Sequence, residues 1–293
     1  MKRVWITGAG PNGFIGRNLK EHLENTHEVY VTSSRELDLC ELDQVRRFID
    51  NNRIDCVVHA ATYTKRTIST EAELDANLKM FYNLEFCHQQ LEKIVYFGSG
   101  AEFDKRYEVN LASENDIGRS IPVNAYGFGK YVMNHAARAS NNIYNLRLFG
   151  VYGKYENWRT TFISNLCCKA MLDLPLTIRQ NCSFDFLYID DLFSVVDWFL
   201  EQSPDYHDYN VCTSTPYDLT EIARMVLEVA GKDLPITIYN EGRNLTYTGA
   251  NNRLREQVSE FSPRGIQSGI ESLYNWYLNQ REYIDYDVLV QTK

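Results

Sequence analysis

The first half of the chain alternates short apolar runs with stretches whose apolar residues repeat every three or four positions. The run RVWIT at residues 3–7 ends at a glycine, and Ile15, Leu19 and Leu23 then fall four apart, as on one face of a helix. The same alternation continues to residue 153. It predicts strands at 3–7, 28–32, 55–61, 93–99 and 144–153, and helices at 14–23, 41–52, 73–90 and 124–140.

Apolar strands separated by helices indicate a parallel sheet with both faces covered, because each crossover is right-handed. The predicted fold class is therefore α/β, with a Rossmann-type doubly wound parallel sheet. After residue 153 the alternation loosens, which indicates a smaller C-terminal α/β lobe. We predict a main domain at 1–155 to which 184–214 return, and a second lobe formed by 156–183 and 215–293. Ligands of such sheets bind beyond the carboxyl ends of the strands.

Composition argues against several functional classes. The chain has 293 residues and a net charge of −9, so no basic face favours nucleic acid or an anionic membrane. No apolar run approaches the ~20 residues that cross a bilayer, and the N-terminus enters a strand directly, so no signal peptide is predicted. The seven cysteines are scattered without a C-x-x-C pair. They predict buried thiols in a cytoplasmic protein and no metal site.

The first strand leads into ITGAGPNGFIGRNL, whose glycines are Gly8, Gly10, Gly13 and Gly16. A strand, a glycine turn and a helix in this order suit a pyrophosphate, because free N–H groups and a partial positive charge meet at the helix N-terminus. The apolar stripe places the helix start near Asn12 or the glycine after it, which favours the spacing of the last three glycines. Pro11 has no N–H, so the backbone N–H groups of residues 12–14 are the predicted donors to the pyrophosphate. Domain 1–155 is therefore predicted to bind a dinucleotide.

A serine, a tyrosine and a lysine lie where the fourth strand ends and the next helix begins. Ser99 ends the strand KIVYFGS, while Tyr126 and Lys130 are four apart on the helix that opens at Asn124. Reduction of a ketone by hydride needs a proton donor at the forming alkoxide. An ammonium one turn away is expected to lower the phenol pKa from about 10, and a serine hydroxyl can hold the substrate oxygen. These three residues are the predicted catalytic group.

Several segments resemble the extended short-chain dehydrogenase/reductase family of NAD(P)-dependent sugar epimerases, dehydratases and reductases. GFIG followed by RNL resembles the family's TGxxGFIG, although this loop is about two residues longer. The other matching segments are HAATY, FGSGAEFD, RLFGVYG and FDFLYIDDL, which resemble HxAA, SSxxVYG, RxxNVYGP and RDFIYVDDL. The resemblance runs from residue 4 to about 200, and it implies the same catalytic roles for Ser99, Tyr126 and Lys130.

The second strand ends at VTSSRELDL, where NAD-using relatives generally place Asp or Glu on the ribose. Ser33 and Arg35 stand here, and a guanidinium suits a 2′-phosphate, so NADP(H) is the preferred cofactor and NAD(H) is possible. Asp38 and Leu39 are the expected adenine contacts. Together, the residues predicted to bind the cofactor are Gly8, Gly10, Asn12, Gly13, Phe14, Ile15, Gly16, Ser33, Arg35, Asp38, Leu39, Ala60, Ala61, Asn77, Lys130 and Val151.

Phe184 stands where many relatives have an arginine that contacts a substrate phosphate. Another cation would then have to hold a diphosphate, and Arg255 is one candidate. The residues predicted to bind substrate are Tyr63, Ser99, Arg159, Arg179 and Arg253. His59 lies in an apolar strand and is predicted to be a packed core residue.

The sequence is most similar to the sugar-nucleotide 4-ketoreductases. Dehydratase relatives carry Asp and Glu where this chain has Gly100 and Ala101, which cannot move protons. The predicted function is NADP(H)-dependent reduction of a 4-keto nucleotide-sugar. A nucleotide-sugar 4-epimerase that holds NAD tightly is the alternative, and a non-catalytic NADP(H)-sensing regulator is a second one. The helices at 71–91 and 124–140 resemble those that pair family dimers, so a homodimer is expected.

Overall fold

The structure is a computed structural model and describes residues 1–63 and 69–292. Its strands are β1 Arg3–Thr7, β2 Glu28–Thr32, β3 Cys56–His59, β4 Lys93–Ser99, β5 Val109–Ala112, β6 Ile143–Leu148, β7 Gly150–Tyr152, β8 Leu176–Ile178, β9 Ser183–Phe184, β10 Phe186–Tyr188, β11 Asp208–Val211, β12 Tyr217–Asp218, β13 Ile236–Ile238 and β14 Tyr247–Gly249. Its helices are α1 Phe14–Leu23, α2 Leu42–Asn52, α3 Thr70–Phe86, α4 Ala125–Ala139, α5 Phe162–Met171, α6 Phe193–Glu201, α7 Leu219–Ala230, α8 Asn252–Gln257, α9 Ile266–Leu278 and α10 Tyr286–Gln291.

A six-stranded sheet forms the centre, in the order β11-β6-β4-β3-β1-β2, and all of its strand pairs are parallel. The inner strands β3, β4 and β6 are buried along their whole length, as expected when helices cover both faces. The predicted α/β fold class is confirmed.

Alternate residues of each central strand enter two separate cores, which shows that the sheet is doubly wound. Val4 and Ile6 of β1 pack in one core with residues of α1 and α6. Trp5, between them, packs in the other core with residues of α2, α3 and α4. Successive side chains of a strand point to opposite faces of the sheet, so each strand contributes to the core under both helical layers.

The strand predicted at 144–153 is two strands in different sheets, so that prediction is wrong. β6 ends at Leu148, and β7 begins at Gly150 and pairs with β10 outside the central sheet. A side chain on Gly150 would lie 2.7 Å from the Asp185 carbonyl oxygen, so glycine permits this close approach. The chain turns at Phe149, between these two strands.

The C-terminal half adds one strand to the central sheet and several small sheets beside it. Within the segment 184–214, β11 joins the central sheet next to β6. A four-stranded sheet in the order β12-β9-β14-β5 joins parts of the chain that are far apart in sequence. Helices α5, α7 and α9 pack together beside it. Across the described part of the chain, none of the helices combines the length and apolarity that a bilayer span requires.

Candidate active site

The four glycines of the opening loop have different structural roles. A Cβ on Gly13 would lie 1.8 Å from the Gly8 carbonyl oxygen, and one on Gly16 would lie 2.6 Å from it. Gly8 itself has a φ of +74° and packs on the backbone of Ala60. Gly10, in contrast, would place a Cβ in open space, with nothing within 4 Å. Three glycines therefore serve internal packing, and Gly10 leaves room beside the loop.

Helix α1 begins at Phe14, immediately after the N-cap Gly13, as the apolar stripe predicts. The cap has no side-chain hydrogen bond, and the first turn contains no acidic residue. The partial positive charge of the helix N-terminus is therefore not neutralised locally. Asn12 is exposed on the loop just before it.

A cavity of about 210 Å³ extends from this helix end to the carboxyl end of β4. It brings together residues that are distant in sequence and were predicted separately. Its lining residues are Phe14, Ile15, His59, Ala60, Thr62, Phe97, Gly98, Ser99, Tyr126, Lys130, Leu148, Phe149 and Val151. The predicted catalytic residues and the start of the glycine-loop helix thus face the same space.

The packing of α4 against the turn after β4 brings Tyr126 to Ser99. The Asn124 side chain caps α4 by accepting a hydrogen bond of 2.7 Å from the Gly127 N–H. A Cβ on Gly127 would lie 2.5 Å from the Ala101 carbonyl oxygen, so glycine permits the close contact. Tyr126 is half exposed as a whole residue, and it lines the same cavity as Ser99.

Burial raises the pKa of Tyr126 above its usual value, and the hydrogen bond from Ser99 partly opposes this shift. Lys130 lies one helical turn after Tyr126, and its ammonium donates a 2.7 Å hydrogen bond to the Phe97 carbonyl oxygen of β4. Burial lowers the pKa of Lys130 to about 8. The effect of Lys130 on the pKa of Tyr126 stays a prediction.

His59 is buried, and its Nδ1 lies 2.8 Å from Thr7 Oγ1. Burial, reinforced by the charge of Lys130, lowers the pKa of His59 to about 3. The ring is therefore neutral at physiological pH. It forms one wall of the cavity and packs as the sequence predicts.

A larger cavity of about 620 Å³ adjoins the first and shares Phe149 and Val151 with it. Phe184 and Phe186 stack on its wall with ring centroids 4.7 Å apart. Its lining residues are Phe149, Gly150, Val151, Glu156, Thr161, Phe162, Arg179, Gln180, Cys182, Phe184, Phe186, Leu219, Asn240 and Asn244. Aromatic rings, amides and one guanidinium are thus combined in one space.

The structure separates the candidate substrate arginines. Arg179 lines the larger cavity, and Arg159 is exposed with its guanidinium 4.2 Å from the centre of the Trp158 ring. Arg253 is held by the Asp208 carboxylate at 2.9 Å and lines neither cavity, so we do not retain it as a substrate residue. Arg255 is exposed on α8 and also lines neither cavity.

The loop after β2 contains a carboxylate that sequence reasoning did not use. Glu36 Oε2 accepts hydrogen bonds of 2.8 Å from both the Ser33 N–H and the Ser33 hydroxyl, which lower the pKa of Glu36. Arg35 is exposed beside it. Further along, Asp38 is exposed and the Leu39 carbonyl accepts a 2.8 Å hydrogen bond from Asn83.

Asn77 of α3 holds the segment after β3 in place. Its Oδ1 accepts from the Tyr63 N–H at 2.8 Å, and its Nδ2 donates to the Tyr63 carbonyl at 3.0 Å. The Ala61 N–H donates to Thr7 Oγ1 at 3.3 Å. These contacts hold the segment after β3, whose residues Ala60 and Ala61 pack against Gly8.

A buried charged network lies directly behind the cavity. The Glu102 carboxylate accepts a 2.9 Å hydrogen bond from the Ser99 N–H and a 2.8 Å hydrogen bond from Arg147 Nε. The fully buried Arg147 also donates to Asp208 at 2.9 Å. Arginine within the apolar run YNLRLF was a signal for this network, because a buried charge needs a partner. Tyr247 of β14, whose hydroxyl lies against Gly100, carried no such signal.

Within residues 1–63 and 69–292, no three His, Cys, Asp or Glu side chains converge as a metal site requires. The seven cysteines are free thiols.

Comparison with known proteins agrees with this geometry. The model of the NAD dependent epimerase/dehydratase family matches residues 4–212, which is most of the chain. The chain belongs to this family. The matched segment includes the glycine loop, helix α4 and strand β11.

Named relatives of this family member are distant. ADP-L-glycero-D-manno-heptose-6-epimerase of Brachyspira hyodysenteriae is 25% identical over 64% of this chain, and the match spans 63% of that protein. dTDP-4-dehydro-6-deoxy-D-allose reductase of Streptomyces bikiniensis is 25% identical over 94% of this chain and 96% of its own length. The solved GDP-mannoheptose C4 reductase of Campylobacter jejuni, with NADP bound, superposes with a TM-score of 0.78 at 20% identity, covering 94% and 98% of the two chains.

Proposed function

We propose that the protein reduces the ketone of a 4-keto nucleotide-sugar with NADP(H). The observation that carries the proposal is the single cavity in which the N-terminus of α1 meets the hydroxyls of Ser99 and Tyr126. The streptomycete relative is named as a reductase of a dTDP-linked 4-dehydro sugar, and the Campylobacter structure is a C4 reductase with NADP. Both names fit a proton donor placed beside a dinucleotide site.

The residues present suit a dinucleotide. The open space at Gly10 and the uncapped N-terminus of α1 fit a pyrophosphate, and Phe14, Ile15, Ala60 and Val151 line the way to the catalytic hydroxyls. When bound, NADPH supplies a hydride to the ketone carbon. Tyr126 transfers its phenolic proton to the ketone oxygen, so the carbonyl becomes an alcohol. Ser99 holds that oxygen, and Lys130 lies beside the phenol on the same helix.

The larger cavity suits the nucleotide-sugar. Its stacked Phe184 and Phe186 offer apolar surface to a base or sugar, and Arg179 offers a guanidinium to a diphosphate. Gln180, Asn240 and Asn244 supply amide groups for the polar edge of such a ligand. The two cavities meet at Phe149, so the sugar end would lie beside Tyr126.

The direct test incubates the purified chain with 4-keto sugars on GDP, dTDP, UDP and CDP, with NADPH and with NADH in parallel. We expect one sugar to be reduced, measured by loss of nicotinamide absorbance and by mass of the product. Tighter use of NADH than of NADPH would refute the cofactor preference. Absence of reduction with every sugar would refute the function.

One observation favours a second candidate, a nucleotide-sugar 4-epimerase with tightly held NAD. Glu36 places a carboxylate at the end of β2, where it could accept a hydrogen bond from a ribose 2′-hydroxyl and would repel a 2′-phosphate. An epimerase returns the hydride it removes. It would therefore convert its sugar without net oxidation of NADPH, and NAD would be released on denaturing the purified protein.

Arg35→Ala tests whether the Arg35 guanidinium or the Glu36 carboxylate determines the cofactor preference. We expect the KM for NADPH to rise about 10-fold to 100-fold, because a charge-assisted hydrogen bond to phosphate is lost, and the KM for NADH to stay within 2-fold. Arg47→Ala on the neighbouring helix α2 is the matched control and should change neither value. Equal effects on both cofactors would contradict a 2′-phosphate role.

Two glycine substitutions separate packing from cofactor approach. Gly13→Ala forces its Cβ against the Gly8 carbonyl oxygen, so we expect a lower melting temperature and lost cofactor binding. Gly10→Ala meets no protein atom within 4 Å, so the melting temperature should hold while NADP(H) affinity falls. Differential scanning fluorimetry and fluorescence titration measure the two quantities. Unchanged affinity in Gly10→Ala would place the pyrophosphate elsewhere.

We also propose a cytoplasmic homodimer, from the resemblance and from the pairing surface that α3 offers. Tyr82 and Phe86 of α3 are 40% and 62% exposed, and α3 packs against α4. Sedimentation of the purified chain measures the assembly, and a monomer at micromolar concentration would contradict it.

A further inference from the structure

Glu102 is a fully buried carboxylate that the proposed reaction does not use. It ends the 3₁₀ turn Gly100–Glu102, which follows β4 directly. Burying a carboxylate is costly unless hydrogen bonds and opposite charge compensate it. The partners of Glu102 therefore indicate what its position does for the residues around it.

Reciprocal hydrogen bonds join this turn to the proposed catalytic serine. The Ser99 N–H donates to Glu102 Oε1 at 2.9 Å, and Ser99 Oγ accepts a 3.1 Å hydrogen bond from the Ala101 N–H. This is a capping box, in which the turn holds both the backbone and the side chain of Ser99. A hydroxyl has one hydrogen and two acceptor lone pairs, so the hydrogen and one lone pair can still serve a substrate oxygen in the smaller cavity that Ser99 lines.

The Glu102 carboxylate is itself fixed from β6. Arg147 Nε donates to Glu102 Oε2 at 2.8 Å, and Asn145 Nδ2 lies 3.1 Å from both carboxylate oxygens. Both partners are fully buried. A Cβ on Gly98 would overlap Glu102 Oε1 and the Asn145 amide, so glycine before Ser99 admits this arrangement. Rotation of the carboxylate away from the Ser99 N–H would therefore break its bonds to Arg147 and Asn145.

We propose that Glu102 is a positioning residue, which holds Ser99 at the carboxyl end of β4 so that its hydroxyl faces the substrate carbonyl. This inference rests on the proposed function for its kinetic consequence. The buried network continues from Arg147 to Asp208, which accepts a 2.9 Å hydrogen bond from Arg147. Asp208 lies on β11, which β6 separates from the strand of Ser99. It therefore provides a control that perturbs the same network at a distance from the turn.

The kinetic test compares Glu102→Gln with Asp208→Asn. Each variant replaces a carboxylate by an amide of the same shape, so both should lower the melting temperature. In Glu102→Gln the new N–H₂ group meets the surrounding donors and displaces the turn. We expect kcat for the reducible sugar to fall about 10-fold to 100-fold with KM within about 3-fold, because a small misplacement of a substrate-holding group is costly in rate. Asp208→Asn should keep kcat within about 2-fold at a temperature where both variants are folded. Equal losses of kcat would indicate a general structural role and overturn the proposal.

A double-mutant cycle with Ser99→Ala tests whether Glu102 acts through the serine hydroxyl. In the Ser99→Ala background, Glu102→Gln should change kcat by less than about 2-fold, because the group that it positions is gone. A loss as large as in the native background would overturn the proposal.

A second measurement needs no turnover and applies even if Glu102→Gln does not fold. In protein labelled with nitrogen-15 serine, the Ser99 amide signal is assigned by its loss in Ser99→Ala. We expect this amide to exchange slowly with deuterated solvent in the native chain, at least about 10-fold faster in Glu102→Gln, and at the native rate in Asp208→Asn. Native exchange as fast as at the exposed Ser69 would overturn the proposal. If the native chain reduces no sugar, the proposed function fails while this exchange still decides whether Glu102 holds Ser99.

Discussion

Tyr126→Phe is expected to lower kcat by about 100-fold to 10,000-fold while the affinity for NADP(H) stays within 2-fold. Phenylalanine keeps the ring and removes the phenolic proton donor that lines the smaller cavity with Ser99. The glycine loop and α1 are untouched, so the dinucleotide site is intact. Steady-state rates with the reducible sugar and fluorescence titration with NADPH measure the two quantities.

The matched control is Tyr131→Phe, on the same helix but directed at His135 rather than at Ser99. It should retain the native rate. Full activity in Tyr126→Phe would end the proposed mechanism. Loss of cofactor affinity along with rate would show instead that Tyr126 supports the dinucleotide site.

Arg147→Met is expected to lower the free energy of unfolding by about 3–5 kcal/mol, because one partner of a buried ionic network is removed. Glu102 and Asp208 would remain buried without the guanidinium that lies 2.8 Å and 2.9 Å from them. Urea unfolding followed by circular dichroism measures the change. Arg119→Ala removes an ion pair whose arginine side chain is 79% exposed, and should cost less than about 1 kcal/mol.

The same variant should alter the acid sensitivity of the fold. Burial opposes the charge on Asp208, but Arg147 and Arg138 outweigh it, so the pKa of Asp208 lies below its usual value. A carboxyl with a lowered folded pKa stabilises the protein above the unfolded pKa of about 3.9, and this contribution is lost as pH falls through the folded value. Stability of Arg147→Met should therefore fall less steeply below pH 4. A variant as stable and as acid-sensitive as the native chain would contradict the role assigned to the network.

Periodicity predicted the central sheet because its strands and helices are adjacent in sequence and each buries a regular face. It failed where pairing joins distant residues. Tyr247 pairs with Val109 across 138 positions of sequence, and neither strand is long enough to show an alternation. The strands β5 and β14, which periodicity did not predict, are short strands of this kind, paired with a partner that is distant in sequence.

The residues of the candidate site also fall into those that sequence pattern predicts and those that only tertiary contacts place. The convergence of Ser99, Tyr126 and Lys130 on one cavity was predictable, because strand ends and helix starts of a parallel sheet meet at one edge. The place of Glu102 was not predictable, since its carboxylate is held by Asn145 and Arg147, which only tertiary packing brings to it. Arg253 looked like a free cation in the sequence, but the fold places it against Asp208. Single charged residues reveal a function only once their partners are known.

The small sheet that carries Tyr247 has a consequence for how the enzyme is made. A nascent chain emerging from the ribosome completes the glycine loop and the residues Ser99, Tyr126 and Lys130 long before residue 247 is synthesised. Until β14 pairs with β5, the turn at Gly100 lacks the Tyr247 ring that packs against it. A chain that stops before β14 would therefore leave the turn after Ser99 without the ring that packs on it.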